Sequence, residues 1–297
     1  MLTHSRPGQT LRLVHTLSAQ FDHPPIVIHH DFGKCDLNVA EFPANVQFVR
    51  PHLNTGWGTS EVNDAFVLGL EALFRWDRAP KWFALLSGVD YPIKPATQIL
   101  EDLNTDAYDL YIQNKVINRL DTDSFGHEMA HRYFIRGIKL WYIDYKLRLR
   151  CRPTGIPSLV SKLFLPWSKS FRCYSGLVWC SGNRKAAEAI MALHPSNSLK
   201  KHYRTTPCSD EFYIHSLACN QPGLRVSSDN KRYIDFRPGK PHPQTLRIDD
   251  IPAMVASGAH FARKFEQDDP VLDRLDEIIG ISPATTSNMQ PAPSSQK

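Results

Sequence analysis

Short apolar runs alternate with helix-spaced segments along the first 120 residues, and this alternation restricts the fold more than any other feature of the chain. Leu2 to Ser5 reads as the end of a strand. From Gln9 to Gln20, apolar Leu11, Val14 and Leu17 recur at near-helical spacing. Ile26-Val27-Ile28-His29-His30-Asp31 is a short apolar strand that ends in polar residues, and Val46-Gln47-Phe48-Val49 is another. Thr59 or Ser60 suits the N-cap of a helix carrying Val62, Phe66, Leu70 and Leu73 on one face. Lys81 to Leu86 reads as a buried strand, closed by Ser87-Gly88-Val89-Asp90-Tyr91-Pro92. Pro95 opens a helix through Leu103, and Tyr108 to Ile117 reads as a further strand. The pattern predicts an α/β fold: a Rossmann-type, mostly parallel sheet with helices on both faces. In such sheets ligands sit beyond the carboxyl ends of the strands. The strand ends His29-His30-Asp31 and Ser87-Gly88-Val89-Asp90 therefore fall where a nucleotide is held.

Later in the chain, Ser175 to Ser181 reads as a strand and Arg184 to His194 as a helix. Ser209 suits the N-cap of a helix through Cys219, which puts Asp210 and Glu211 in its first turn, where the helix dipole favours acids for structural reasons alone. Ile248 to Ala256 predicts a helix, Ala259 to Phe265 a strand or extended loop, and Val271 to Ile279 a last helix. Residues 282–297, rich in Ser, Thr, Pro and Gln, predict a disordered tail. The expected organisation is one domain over residues 1–281. It has a nucleotide-binding half at about 1–120, a basic aromatic insertion at about 127–172 and an acceptor and catalytic half at about 173–281.

The net charge of +5 is unevenly spread. From Arg132 to Arg172 there are ten Lys or Arg and one acid, Asp144, so this segment carries +9 and the remainder −4. Its aromatics, among them Tyr133, Phe134, Trp141 and Trp167, suit a membrane surface, an anionic acceptor or RNA. A solvated insertion whose long side chains lie over core aromatics is the plainer alternative. No run approaches the roughly 18 apolar residues of a membrane span, and the first residues lack the apolar stretch of a secretory signal. Six cysteines without a C-x-x-C pair suit reduced thiols. These features place the protein in the cytoplasm, with peripheral contact at an inner membrane face through residues 132–172.

The chemistry is concentrated in two places. Arg263 and Lys264 interrupt the apolar segment Phe261-Ala262-Arg263-Lys264-Phe265, and Asp210-Glu211 stand at a helix start. Two fixed cations suit the charge that grows on a departing diphosphate, and a placed carboxylate suits removal of a proton from an attacking hydroxyl. Neighbours on a true strand face opposite sides, so Arg263 and Lys264 share one ligand only if the backbone bends there. A solvated basic pair and an ordinary dipole partner are the plainer readings. Asp121-Thr122-Asp123 has the form by which manganese is held on a nucleotide diphosphate, although Asn118-Arg119-Leu120 makes a poor strand before it, and a solvent-facing turn accounts for it. His29, His30 and His127 could be drawn as a metal cluster, but His30-Asp31 at a strand end better suits a nucleotide. There is no Gly-rich phosphate loop, which removes the support for dehydrogenase and kinase readings.

Five segments in order resemble glycosyltransferase family 14, the core-2/I-branching β-1,6-N-acetylglucosaminyltransferases and peptide O-xylosyltransferases. They are Ile28-His29-His30-Asp31, Gly56-Trp57-Gly58-Thr59-Ser60, Leu85 to Lys94, Ser209-Asp210-Glu211-Phe212 and Phe261 to Phe265. The likeness runs over roughly residues 2 to 266. It implies a GT-A-like fold, a UDP-sugar donor, inversion at the anomeric carbon and no metal or other cofactor. It also implies Glu211 as general base, Arg263 and Lys264 on the diphosphate, and His30, Asp31, Trp57 and Gly58 at the nucleotide. Asp90, Trp179 and Asp210 fall near the donor or acceptor sugar. Gly176-Leu177-Val178-Trp179 lacks the serine that the family usually shows, although Trp179 still offers a stacking wall. The expected partners are the UDP-sugar (GlcNAc or xylose) and a glycan, lipid-linked or protein acceptor, with no nucleic acid. Two alternatives stand beside this: a non-catalytic scaffold that binds a sugar nucleotide, polyanion or membrane, and a manganese enzyme using Asp121 and Asp123.

Overall fold

The computed structural model describes residues 1–76, 79–105, 107–118, 128–129, 132–134, 137–143, 149–155, 165–194, 199–236 and 242–281. Asp121, Asp123 and His127, most of the basic segment and the tail at 282–297 lie outside the described residues. In chain order the strands are β1 (Leu2–Thr3), β2 (Ile26–His30), β3 (Val46–Phe48), β4 (Trp82–Ala84), β5 (Asp90–Pro92), β6 (Leu110–Ile112) and β7 (Lys115–Ile117). They continue with β8 (Gly137–Ile143), β9 (Leu149–Gly155), β10 (Cys173–Ser175), β11 (Cys180–Asn183), β12 (Val226–Ser227), β13 (Arg232–Ile234) and β14 (Phe261–Arg263). The helices are α1 (Pro7–Gln20), α2 (Glu61–Phe74), α3 (Ala96–Leu103), α4 (Arg184–Leu193), α5 (Leu199–Tyr203), α6 (Tyr213–Cys219), α7 (Ile251–Ala256) and α8 (Pro270–Ile278).

The chain forms two compact units that are not consecutive in sequence. The first comprises Met1–His52, Gly69–Ala107 and Lys231–Lys297; the second comprises Leu53–Leu68 and Tyr108–Asn230. In the first, β1, β2 and β3 run parallel, with Thr3 beside His30 and Ile28 beside Phe48. A second small sheet has β14 at its centre, antiparallel to β5 and parallel to β13, with Arg263 directly opposite Asp90. All five residues of β2 are buried, including His29 and His30, as expected where both sides of a strand are covered. Leu13 and Val14 of α1, Tyr91, Ile99, Ala262, Phe265 and the α8 residues Val271, Leu272 and Leu275 are buried in the same unit. Tyr91 Oη donates to Asp276 Oδ1 at 2.7 Å, Thr16 Oγ1 lies 2.7 Å from that hydroxyl, and Arg12 Nη2 donates to Asp276 Oδ2 at 2.7 Å. The buried Asp276 carboxylate is thus matched by two donors, Tyr91 and Arg12, as low polarity requires.

In the second unit, β6 pairs in parallel with β12 and antiparallel with β11, while β7 and β10 form an antiparallel pair. Strands β8 and β9 pair antiparallel over their full lengths. Asp109, immediately before β6, is a buried hub. It accepts from Asn183 Nδ2 at 3.0 Å, Lys185 Nζ at 3.2 Å, and the Arg225 backbone N–H and Nη2 at 2.9 and 3.0 Å. Burial alone would raise this carboxyl, but the Arg225, Asn183 and Lys185 bonds hold it well below the usual range. Helix α4 takes the expected place with Asn183 as its N-cap, accepting from the Ala186 N–H at 3.0 Å.

The α/β class expected from the sequence is the class observed, and several elements differ in detail. Ser87 to Pro92 is more than a closing loop, because Asp90–Pro92 is strand β5. The run from Tyr108 to Ile117 is two strands, as is the stretch expected from Ser175 to Ser181. Parallel pairs are joined by antiparallel ones, because short strands paired through loops need no helical crossover. The helix expected from Ser209 to Cys219 is broken. Ser209–Glu211 is a single 3-10 turn, Phe212 departs to φ −137°, and α6 starts at Tyr213. Asp269 is the N-cap of α8 and accepts from the Val271 N–H at 3.0 Å.

Candidate active site

The 3-10 turn that carries Glu211 is pinned from several sides within the second unit. Cys208, at φ 52°, opens it, and its N–H donates to the Gly58 carbonyl at 2.8 Å. Gly58 is required there: its φ is +67°, and a Cβ would stand 3.1 Å from the Cys208 backbone nitrogen. Buried Asn63 Nδ2 donates to buried Ser209 Oγ at 3.2 Å. The Gly176 N–H donates to the Glu211 carbonyl at 2.9 Å. A Cβ on Gly176 would lie 2.1 Å from the Gln113 carbonyl oxygen, so only glycine lets this segment come so close.

The Glu211 side chain is 34% exposed. Its Oε2 accepts from Arg132 Nη1 and from Tyr133 Oη, each at 2.9 Å. Arg132 Nη2 also donates to Glu128 Oε1 at 2.6 Å. Tyr133 is fully buried, and burial followed by the Glu211 charge raises its phenol far above the usual value. That hydroxyl is therefore a permanent donor. Its backbone carbonyl accepts from Trp167 Nε1 at 3.0 Å and stands 2.9 Å from His202 Nε2. The result is a carboxylate with one oxygen held by two donors while the side chain stays partly exposed. Arg132 and Tyr133 begin the segment expected to meet a membrane or an anion, and the structure engages both at Glu211 instead. No feature of the sequence distinguished them from the other basic and aromatic residues around them.

Asp210 shares the turn. Its Oδ1 is buried and has no hydrogen-bond partner among the described residues. Burial first, and then the neighbouring Glu211 charge, raises its carboxyl to about 6. Trp57, 81% exposed, precedes Gly58 and so stands beside the Cys208–Glu211 turn. Half-buried Trp179 ends the Gly176–Trp179 segment that bonds to Glu211. Glu211, Asp210, Trp57, Gly58 and Trp179 thus belong to one unit.

The other expected site residues belong to the first unit. His30 is fully buried with both ring nitrogens engaged, Nδ1 with Thr3 Oγ1 at 2.8 Å and Nε2 with the Cys35 carbonyl at 2.8 Å. It fixes the loop after β2. Burial lowers its imidazole, partly offset by the Cys35 bond and Asp31, which favours the neutral ring. Asp31 is buried, accepts from the Gly33 N–H at 3.1 Å and lies 3.6 Å from Lys34 Nζ. Next to it, half-buried Phe32 receives the Arg50 guanidinium 3.8 Å from its ring centroid, an aromatic and cationic face that the sequence reading passed over. Asp90 Oδ2 accepts from the Ser87 N–H at 2.5 Å, and its Oδ1 lies 3.4 Å from Arg263 Nε. Arg263 is only 8% exposed, and Lys264, joined to it by a cis peptide bond, is half-buried just past the strand end.

This α/β chain, with a carboxylate pinned in a tight turn and a buried arginine–aspartate pair followed by a half-buried lysine, belongs to the Core-2/I-branching enzyme family, glycosyltransferase family 14. The family profile covers residues 13–256. Similar curated proteins are three β-glucuronosyltransferases of Arabidopsis thaliana. GlcAT14B is 29% identical over 69% of this chain and 44% of its own length. GlcAT14A is 28% identical over 69% and 43%, and GlcAT14C is 26% identical over 69% and 50%. The chain therefore spans about half the length of these relatives or less.

Proposed function

We propose that the protein is an inverting glycosyltransferase that moves a sugar from a UDP-sugar to an acceptor hydroxyl. The observation that carries this reading is the Glu211 carboxylate, held through one oxygen by Arg132 and Tyr133 while its side chain stays partly open. In the proposed step the acceptor oxygen forms a bond to the anomeric carbon and gives its proton to Glu211. The bond from that carbon to the β-phosphate oxygen breaks, and its electron pair leaves with UDP. Single displacement inverts the centre and gives a β-linkage from an α-linked donor. Arg263 and Lys264 take the charge of the diphosphate, Asp31 and the strand end fixed by His30 face the nucleoside, and Trp57 and Trp179 are flat walls for a sugar ring. The reaction needs no metal in this scheme, because fixed cations supply the compensation.

Three donors follow from the family and its members. UDP-glucuronic acid ranks first, on the activity for which the curated relatives are named, ahead of UDP-N-acetylglucosamine and UDP-xylose. UDP release measured with each donor, for the wild type and Glu211→Gln in the presence and absence of EDTA, tests the scheme. One donor should support turnover, EDTA should leave it unchanged, and the variant should lose about 10²–10⁴-fold. Undiminished turnover in Glu211→Gln removes the carboxylate from its role, and loss in EDTA restores the manganese reading.

A further inference from the structure

We infer that Arg6 is a diphosphate-binding residue, completing with Lys264 an anion site in the first unit. The inference rests on the UDP-sugar reading above and extends it to a residue outside the motifs of the family resemblance. The starting point is charge. The diphosphate of a UDP-sugar carries about two negative charges, and the departing UDP about three. Of the two cations in the Phe261–Phe265 segment, Arg263 lies opposite Asp90, with Nε 3.4 Å from its carboxylate, so the pair is close to neutral. Only Lys264 adds a net charge, and one cation is too few for a leaving group of this kind.

The structure places a second cation beside it. Arg6 Nη1 donates to the Phe265 carbonyl at 3.1 Å, one residue beyond Lys264, and buried Gln9 Nε2 donates to the same oxygen at 3.1 Å. The backbone of Lys264 is fixed as well, since its carbonyl accepts from the Leu246 N–H at 2.8 Å. Burial, then Arg263 and then Arg6 push the Lys264 ammonium below its usual value, so both guanidinium groups are near enough to act on it. Neither Arg6 nor Lys264 forms an ion pair with a carboxylate of the described residues. Arg6 is exposed and so open to a ligand, and it holds a left-handed φ of 54°, a conformation uncommon for a non-glycine residue. Two neighbouring cations without a carboxylate partner among the described residues, one with a planar fork of donors, fit two phosphoryl groups.

Calorimetric titration with UDP and with uridine tests this, using the wild type, Arg6→Gln and Arg6→Lys. Gln keeps a donor for the Phe265 carbonyl and removes the charge, so it separates the structural bond from the anion contact. The expected result is a loss of about tenfold in UDP affinity for Arg6→Gln, unchanged uridine affinity, and recovery of most of the loss in Arg6→Lys. Equal UDP affinity in wild type and Arg6→Gln overturns the inference, as does an equal loss for UDP and uridine, which would mark damage to the fold. A wild type that binds UDP no tighter than uridine overturns both this and the diphosphate reading on which it rests.

Discussion

At the scale of single residues, the Ser209–Glu211 turn contains two carboxylates with opposite environments. Glu211 is bonded by Arg132 and Tyr133, whereas Asp210 has a buried oxygen without a hydrogen-bond partner among the described residues and a carboxyl raised to about 6. The sign of the pH effect follows. Below the ordinary value of 3.8 both folded and unfolded chains are protonated at Asp210. Between there and about 6 the unfolded chain ionises first, so stability falls as pH rises through this range, and above about 6 the full loss persists without growing further. Asp210→Asn should therefore stabilise the protein at pH 7.5 by on the order of 2 kcal/mol and have little effect near pH 3.5, read from urea midpoints at the two pH values. Arg132→Met should lower kcat about tenfold and change the donor KM little if it orients the base, a split that initial-rate kinetics resolve. Glu211 was legible in the sequence through a five-segment resemblance. Arg132 and Tyr133 were not, because a guanidinium in a basic stretch looks the same whether it faces solvent or a carboxylate.

Elements set how tightly these residues are held. Gly176 lies between β10 and β11, where it allows the backbone to approach Gln113 and bond to Glu211. Gly176→Ala should cost about 1–3 kcal/mol by overpacking and reduce turnover with it, measured by thermal melts and UDP release on the same preparation. Asp109 joins β6 to Asn183, Lys185 and Arg225. Its folded-state value is depressed, so its contribution is full above the ordinary carboxylate range and is lost as pH falls through and below that range. Asp109→Ala should destabilise by roughly 3–5 kcal/mol at neutral pH, since it leaves buried donors unmatched, and by much less in acid. Periodicity revealed where β2, α1, α3, α4 and α8 lie. It did not reveal the break at Phe212 or the strand at Asp90–Pro92, because one-turn 3-10 segments and three-residue strands leave no repeat to read.

For the whole molecule, the two units are built from interleaved stretches of chain, and the first takes residues from both ends. Contacts as distant in sequence as Arg6 with Phe265 and Arg12 with Asp276 hold that unit together. Among the described residues no helix is long and apolar enough to cross a membrane. A donor bound to the folded chain alone should stabilise it by about 2.7 kcal/mol at a hundred times its Kd, raising Tm by several degrees. The productive sugar nucleotide should produce the largest rise in a melting series of UDP-glucuronic acid, UDP-N-acetylglucosamine and UDP-xylose. The amino-acid order alone determined the α/β class and the family, because hydrophobic period and motif spacing are local properties written along the chain. Only the tertiary structure decided which donors grip Glu211, that Asp90 neutralises Arg263, and that Arg6 stands beside Lys264, because charge balance and burial depend on neighbours as far as 264 residues away, which no local pattern records.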